Sequence, residues 1–230
     1  MARKKDQAED RIVAVEEALT RTERFIEENQ RILGIVIGAI IIIVLGYFAF
    51  QRFYLAPKEK EAQAQMFMAE RYFESDSLDL ALNGDGNFPG FLEIIDDYGM
   101  TKSANLAHYY TGLIYLKKGD FEESLRYLKG FSSKDVLVSA MAISVMGDCH
   151  MELGDTENAI KSYLKAADRN PNDMTTPQFL LKAGWAYEVS GQYAKAADVY
   201  ERIKKEHPLS QESRDIEKYI VRARQMAKTS

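Results

Sequence analysis

The 230-residue chain carries 30 lysines and arginines against 35 aspartates and glutamates, and 46% of it is hydrophobic, enough apolar material for a folded core. A net charge of −5 with no basic block argues against a protein that works by neutralising nucleic-acid phosphate, so nucleic acid is not an expected partner. One cysteine, Cys149, excludes an intrachain disulfide and any cysteine-built zinc or iron–sulfur site.

In chain order, residues 1–31 read as a charged helical leader. Ile12, Val15, Leu19, Thr22, Ile26, Asn29 and Leu33 follow alternating steps of three and four. With two polar positions in a short run, a solvated or surface-lying helix fits at least as well as a coiled coil. Residues 32–52 are a transmembrane helix by pattern. Ile32 to Phe50 has no charged side chain, and as a helix it spans about 29 Å at roughly 1.5 Å per residue, close to the hydrocarbon thickness of about 30 Å. Tyr47, Phe48, Phe50, Phe53 and Tyr54 crowd its C-terminal end, where aromatic rings favour the membrane interface. Arg21, Arg24 and Arg31 on one side are balanced by Arg52, Lys58 and Lys60 on the other. Adding Arg3, Lys4, Lys5 and Arg11 favours a cytoplasmic N-terminus and a translocated C-terminal domain. Gly34 and Gly38 form a G-x-x-x-G step suited to packing against another transmembrane helix, which leaves a homo-oligomer through the leader or this helix open.

Residues 53–103 read as a connector helix, a loop and a diverged helical pair. Pro57 suits a helix start, and Lys58 to Glu74 offers Met66, Ala69, Tyr72 and Phe73 for one face. Ser75 to Gly90 is rich in turn residues and reads as a loop. An EF-hand register fails there, because starting at Asp79 puts Ala81 at the third position and Gly90 at the twelfth.

From residue 104 to 209 the chain repeats three times. Gly112, Gly147 and Gly184 fall in register at intervals of 35 and 37. Gly119, Gly154 and Gly191 follow seven residues after each, where a helix should end in a left-handed turn. Ser124, Ala159 and Ala196, then Leu128, Tyr163 and Tyr200, extend the register, and Pro171 and Pro208 close the second and third units. This is the helix-turn-helix period of about 34 residues of a tetratricopeptide repeat. The first unit is the most degenerate, with Val136 where Pro is expected. Residues 210–230 supply a capping helix, with Ser210 as N-cap and Ile216, Tyr219, Ile220 and Ala223 as its apolar stripe. The fold expected is all-α: one N-terminal transmembrane helix followed by a tetratricopeptide-repeat superhelix.

No phosphate loop, nucleophile elbow or H-E-x-x-H pair occurs. His108 and His150 fall on repeat core positions, and Asp96 and Asp97 are adjacent, so on a helix they diverge by about 100°. The reading is therefore a non-enzyme with no cofactor and no metal. What remains is binding. The first helix of each unit lines the concave face, so the partner groove should include Tyr109, Leu113, Lys117, Ser144, Asp148, Met151, Glu152, Leu181, Trp185 and Glu188, flanked by Leu116 and Val189. Such a mixed apolar and acidic surface suits an extended or partly unfolded peptide, or a partner helix, more than a single anionic tail, with Trp185, the single tryptophan, as anchor.

The charged leader, the stretch Phe25-Ile-Glu-Glu-Asn29 before one transmembrane helix, the connector NGDGNFPGFLEIIDDYG and the short repeat stack resemble the YfgM-like ancillary translocon subunit family, in its Bacteroidetes-type form. That resemblance implies a bacterial inner-membrane protein with its repeats in the periplasm. It would sit beside the SecYEG channel near a periplasmic chaperone and help to receive secreted clients. Two alternatives use the same parts: a scaffold for outer-membrane or cell-wall assembly that binds one fixed partner, and a regulator whose leader engages a cytoplasmic factor.

Overall fold

The computed structural model describes residues 29–229. The leader stripe from Ile12 to Ile26 and the cations from Arg3 to Arg24 lie outside the described residues. The chain divides into two compact units, Met1–Pro57 and Lys58–Ser230.

In the first unit, residues 29–49 form helix α1, followed by a π-helical turn over Phe50–Leu55. The helix reaching from Asn29 holds an apolar stretch of mean hydropathy 2.9, none of it buried, long and apolar enough to cross a membrane. The π-turn has a local cause. Pro57 has no N–H to give the carbonyl of Phe53, and its ring would crowd that carbonyl in a regular α-helix. The backbone widens instead, with the Ala56 N–H donating to the Gln51 carbonyl five residues back. Pro57 therefore follows a helical turn, where the sequence suggested a fresh helix start.

The second unit is all-helical. Helix α2 (Ala56–Glu74) buries Ala62, Met66 and Ala69, with Tyr72 and Phe73 partly covered. The stretch read as a loop contains a six-residue helix, α3 (Leu78–Asn83), which sends Ala81 and Leu82 into the core with Phe91 and Ile94 of α4 (Phe91–Tyr98). Burial of these residues outweighs the turn-rich composition on either side. The remaining loop closes on Asp85, whose carboxylate accepts the Asn87 and Phe88 N–H groups at 2.9 and 2.8 Å and the Tyr72 hydroxyl at 2.7 Å.

Three helix pairs follow: α5 (Lys102–Lys118) with α6 (Phe121–Gly130), α7 (Val136–Glu152) with α8 (Thr156–Arg169), and α9 (Thr176–Val189) with α10 (Tyr193–Glu206). Their ends repeat the same chemistry. Gly119, Gly154 and Gly191 take φ of 79°, 77° and 74°, and the next residue donates its N–H back to Tyr115, His150 and Tyr187 at 2.9, 2.8 and 2.9 Å. That hydrogen bond satisfies a carbonyl orphaned by the helix end, and a residue without Cβ makes the left-handed turn cheap. Asp120 and Asp155 then cap α6 and α8 through the N–H groups three residues on.

Within each pair the in-register glycine is a point of close approach. A Cβ at Gly112 would fall 2.6 Å from Leu128 Cγ, one at Gly147 2.6 Å from the Tyr163 ring, and one at Gly184 inside the contact distance of the Tyr200 ring. The stack ends on a 3₁₀ turn, Glu212–Arg214, and helix α11 (Ile216–Met226), which buries Ile216, Ile220 and Ala223. Ser210 caps the 3₁₀ turn by accepting the Ser213 N–H at 3.1 Å, and α11 has Asp215 in the N-cap position, so it starts five residues later than the sequence indicated.

Candidate functional site

The face expected to bind lies on α5, α7 and α9, and neighbouring units hold one another there through partners 34 residues apart. Lys182 of α9 donates to both oxygens of Asp148 on α7 at 2.8 and 2.7 Å, and the Tyr163 hydroxyl donates to Asp148 at 2.8 Å. Arg222 of α11 donates to Glu188 on α9 at 2.6 Å. The second-helix row repeats the device, with Arg202 donating to Asp168 at 3.0 Å. A spacing of 34 is close to the repeat length, so each pair stitches one unit to the next. Burial, and then the Asp148 carboxylate, push the Tyr163 hydroxyl well above its usual range, which keeps it a donor.

These contacts change the groove drawn from sequence. Tyr109 is 9% exposed, its ring 5.2 Å from that of Phe131, and Ser144 is 3% exposed. Neither presents a surface. Ser144 lies on the stripe Ala140, Ile143, Gly147 that α7 turns inward, and Tyr109 is roofed by the loop after α6. Lys117 is taken: its ammonium sits 2.8 Å from Asp76 and 5.4 Å from the centroid of the Phe73 ring, so the turn between α2 and α3 covers that end. Leu113 and Leu116 pack against the α5–α6–α7 core, and Met151 and Leu181 against the larger core of the second and third units. Asp148 and Glu188 are ion-paired, and Glu152 is exposed.

The surface that stays open is smaller and lies towards the C-terminal end. Trp185 is 43% exposed, and its indole rests 6.5 Å, centroid to centroid, from the Tyr219 ring of α11. Val189, one turn on, is 69% exposed, and Met141 on α7 is 40% exposed. Trp185 sits between the two ion pairs, three residues from Lys182 on one side and from Glu188 on the other. Sequence reasoning missed Met141, Lys182, Arg222 and Tyr219. The 34-residue spacing of opposite charges was the signal for Lys182 and Arg222.

Gly34 and Gly38 lie one turn apart on α1, and a Cβ at either would meet nothing within 4 Å. Cys149 is buried, its thiol 3.1 Å from the Ser124 hydroxyl. Burial pushes the thiol pKa up, the character of a packing residue. His108 packs beside Tyr127 and Gly130. Burial, and then Arg126, hold its imidazole below the usual range.

Residues 111–174 and 144–210 match the tetratricopeptide repeat family model. A stretch of 101 residues is 32% identical to a TPR repeat-containing protein of Methanocaldococcus jannaschii, covering 44% of this chain and 17% of that protein's length. Among solved structures, the MamA protein superposes with a TM-score of 0.54 at 17% identity, over 73% of this chain and 88% of that one. A structure of nearly identical TPR-like repeats from Podosopora anserina superposes with a TM-score of 0.55 at 13% identity, over 74% of this chain and 88% of that one. At these identities the superpositions speak to the fold alone, a tetratricopeptide-repeat superhelix.

Proposed function

We propose that this chain, whose residues 111–210 are tetratricopeptide repeats and so a protein-interaction scaffold, is a non-enzymatic module tethered to a membrane by α1 that receives extended protein segments on the face around Trp185. One observation carries the reading. A half-exposed indole, with Val189 exposed one turn on, stands between two ion pairs that close within the protein. Such a surface asks for apolar contact and makes few demands on the charge of its ligand, as a receiver of many partly unfolded chains would. With the resemblance to the YfgM-like family, this supports a role beside the SecYEG channel of a bacterial inner membrane. There the repeats would face the periplasm and pass secreted clients to a chaperone. The apolar helix supports the tether, and the cations of the leader support that orientation.

The single tryptophan makes the test direct. Trp185 emission in the full chain, held in neutral detergent, should shift to the blue and saturate as a reduced, alkylated and permanently unfolded protein is added. The same protein in its folded form should leave emission unchanged. An unresponsive Trp185 in both titrations would remove this face from the account.

A further inference from the structure

Helix α6 is 10 residues long, whereas its counterparts α8 and α10 each have 14. It stops at Gly130, whose missing Cβ leaves room for the His108 ring, so about one helical turn that fills the wedge between units elsewhere is missing here. The chain crosses the gap with Phe131, Ser132 and Ser133, leaving a surface cavity on each side of that short loop. One cavity is floored by Leu128, Phe131, Ala142, Ile143 and Met146 and rimmed by Lys129, Lys165 and Arg169. The other shares Phe131, Ser132 and Ser133 with the first and adds Lys102 and Lys134.

The charge of this wedge is unlike the rest of the surface. None of the five cations has a carboxylate partner among the described residues, although most cations along the stack are paired, in a protein of net charge −5. The one carboxylate on the rim, Asp135, accepts the Leu137 and Val138 N–H groups at 2.9 Å as the cap of α7. Arg169 is set in place: its Nε donates to the Ser139 hydroxyl at 2.6 Å and one Nη to the Ser133 carbonyl at 3.4 Å. A guanidinium has five N–H donors, so three on its terminal nitrogens remain for a ligand, in the forked geometry that a carboxylate matches. The floor is apolar, so a bare anion would leave it uncovered.

We infer that this wedge between the first and second units is a second protein-docking site, and that it takes an extended acidic segment of a partner in which carboxylates alternate with apolar side chains. Carboxylates meet the rim of Arg169, Lys165 and Lys129, and Lys102 and Lys134 continue the track. Apolar side chains cover Ile143 and Met146. The site is separate from the face around Trp185 and does not depend on it.

The test uses the full chain in neutral detergent and a fluorescein-labelled, amidated peptide of alternating glutamate and leucine, read by anisotropy. The same peptide with glutamine for glutamate is the comparison. The glutamate peptide should bind, and about 10-fold more tightly than the glutamine peptide. The paired substitutions Lys129→Ala and Lys165→Ala, at exposed positions with no internal partner, should weaken binding about 5- to 10-fold with melting unchanged, and added salt should weaken it further. Arg169→Gln should weaken it as well, whereas Trp185→Ala and Lys205→Ala should not. Equal affinity for the two peptides, or full affinity after loss of Lys129 and Lys165, would overturn the proposal. So would the absence of binding at about 1 mM, a level that even weak, millimolar sites reach.

Discussion

Replacing Gly184 by alanine tests the repeat packing at its tightest point. The new methyl would have to occupy the space of the Tyr200 ring, which is fully buried and cannot swing out into solvent. Overpacking of a well-filled core costs about 1–3 kcal/mol. A clash against the fully buried Tyr200 ring belongs in the upper part of that range, about 2–3 kcal/mol, and alanine returns about 1 kcal/mol of helix propensity over glycine, so the net destabilisation should be about 1–2 kcal/mol. For a unit of this size that lowers the melting temperature by about 2–8 °C, read by far-ultraviolet circular dichroism of the full chain in detergent. Gly184→Ala with Tyr200→Leu should cost less than the sum of the two single changes, because the smaller side chain removes the clash. A melting temperature raised by Gly184→Ala, or strict additivity in the double variant, would refute the close approach of α9 and α10.

Trp185→Ala should weaken binding of unfolded chains by about 1–3 kcal/mol while changing melting little, because the indole is half exposed; equilibrium titration and a melt of the same sample check both halves. Lys182→Met breaks the pair between α7 and α9 and leaves Asp148 with Tyr163. Both partners are partly exposed, so the cost should be only about 0.5–1 kcal/mol, measurable by denaturant titration. Acid should act through His108. Its folded pKa is depressed by burial and by Arg126, so its contribution to stability is present above the unfolded value near 6.5 and is lost as pH falls below it. Melting temperature should therefore begin to fall below about pH 6.5, and His108→Gln should flatten that part of the profile; an unchanged profile would contradict the assignment.

The repeat was legible because its determinants are local. A glycine seven residues before another and a small residue early in the next helix are demanded by one close contact and one left-handed turn, and the aspartate just after the turn, which sequence reasoning missed, supplies one cap. The structure places Gly147, Gly154 and Asp155 in those three roles. The proposed binding face was only half legible. Register tells which helix carries a residue, but what covers that residue depends on the neighbouring unit and on loops. Tyr109 disappears beneath Phe131 because the first unit is short, and Lys117 is claimed by Asp76 from a turn some 40 residues earlier in the chain. Helix α3 was hidden by the turn residues on both sides of it, and the π-turn before Pro57 by a rule that treats proline as a beginning. The basic wedge left no mark in the repeat spacing, because both intervals, 35 and 37, exceed the period of about 34; it shows only where α6, at 10 residues, stops short of the 14 of α8 and α10.

The measurement closest to the central claim is a photocrosslink from position 185 in the intact, membrane-embedded chain, with the trapped proteins identified by mass spectrometry. The account predicts many partners, chiefly chains in transit together with channel subunits and a chaperone, and loss of those products when the probe is moved to a buried position such as Ile203. A single dominant folded partner, or cytoplasmic proteins at that position, would contradict it.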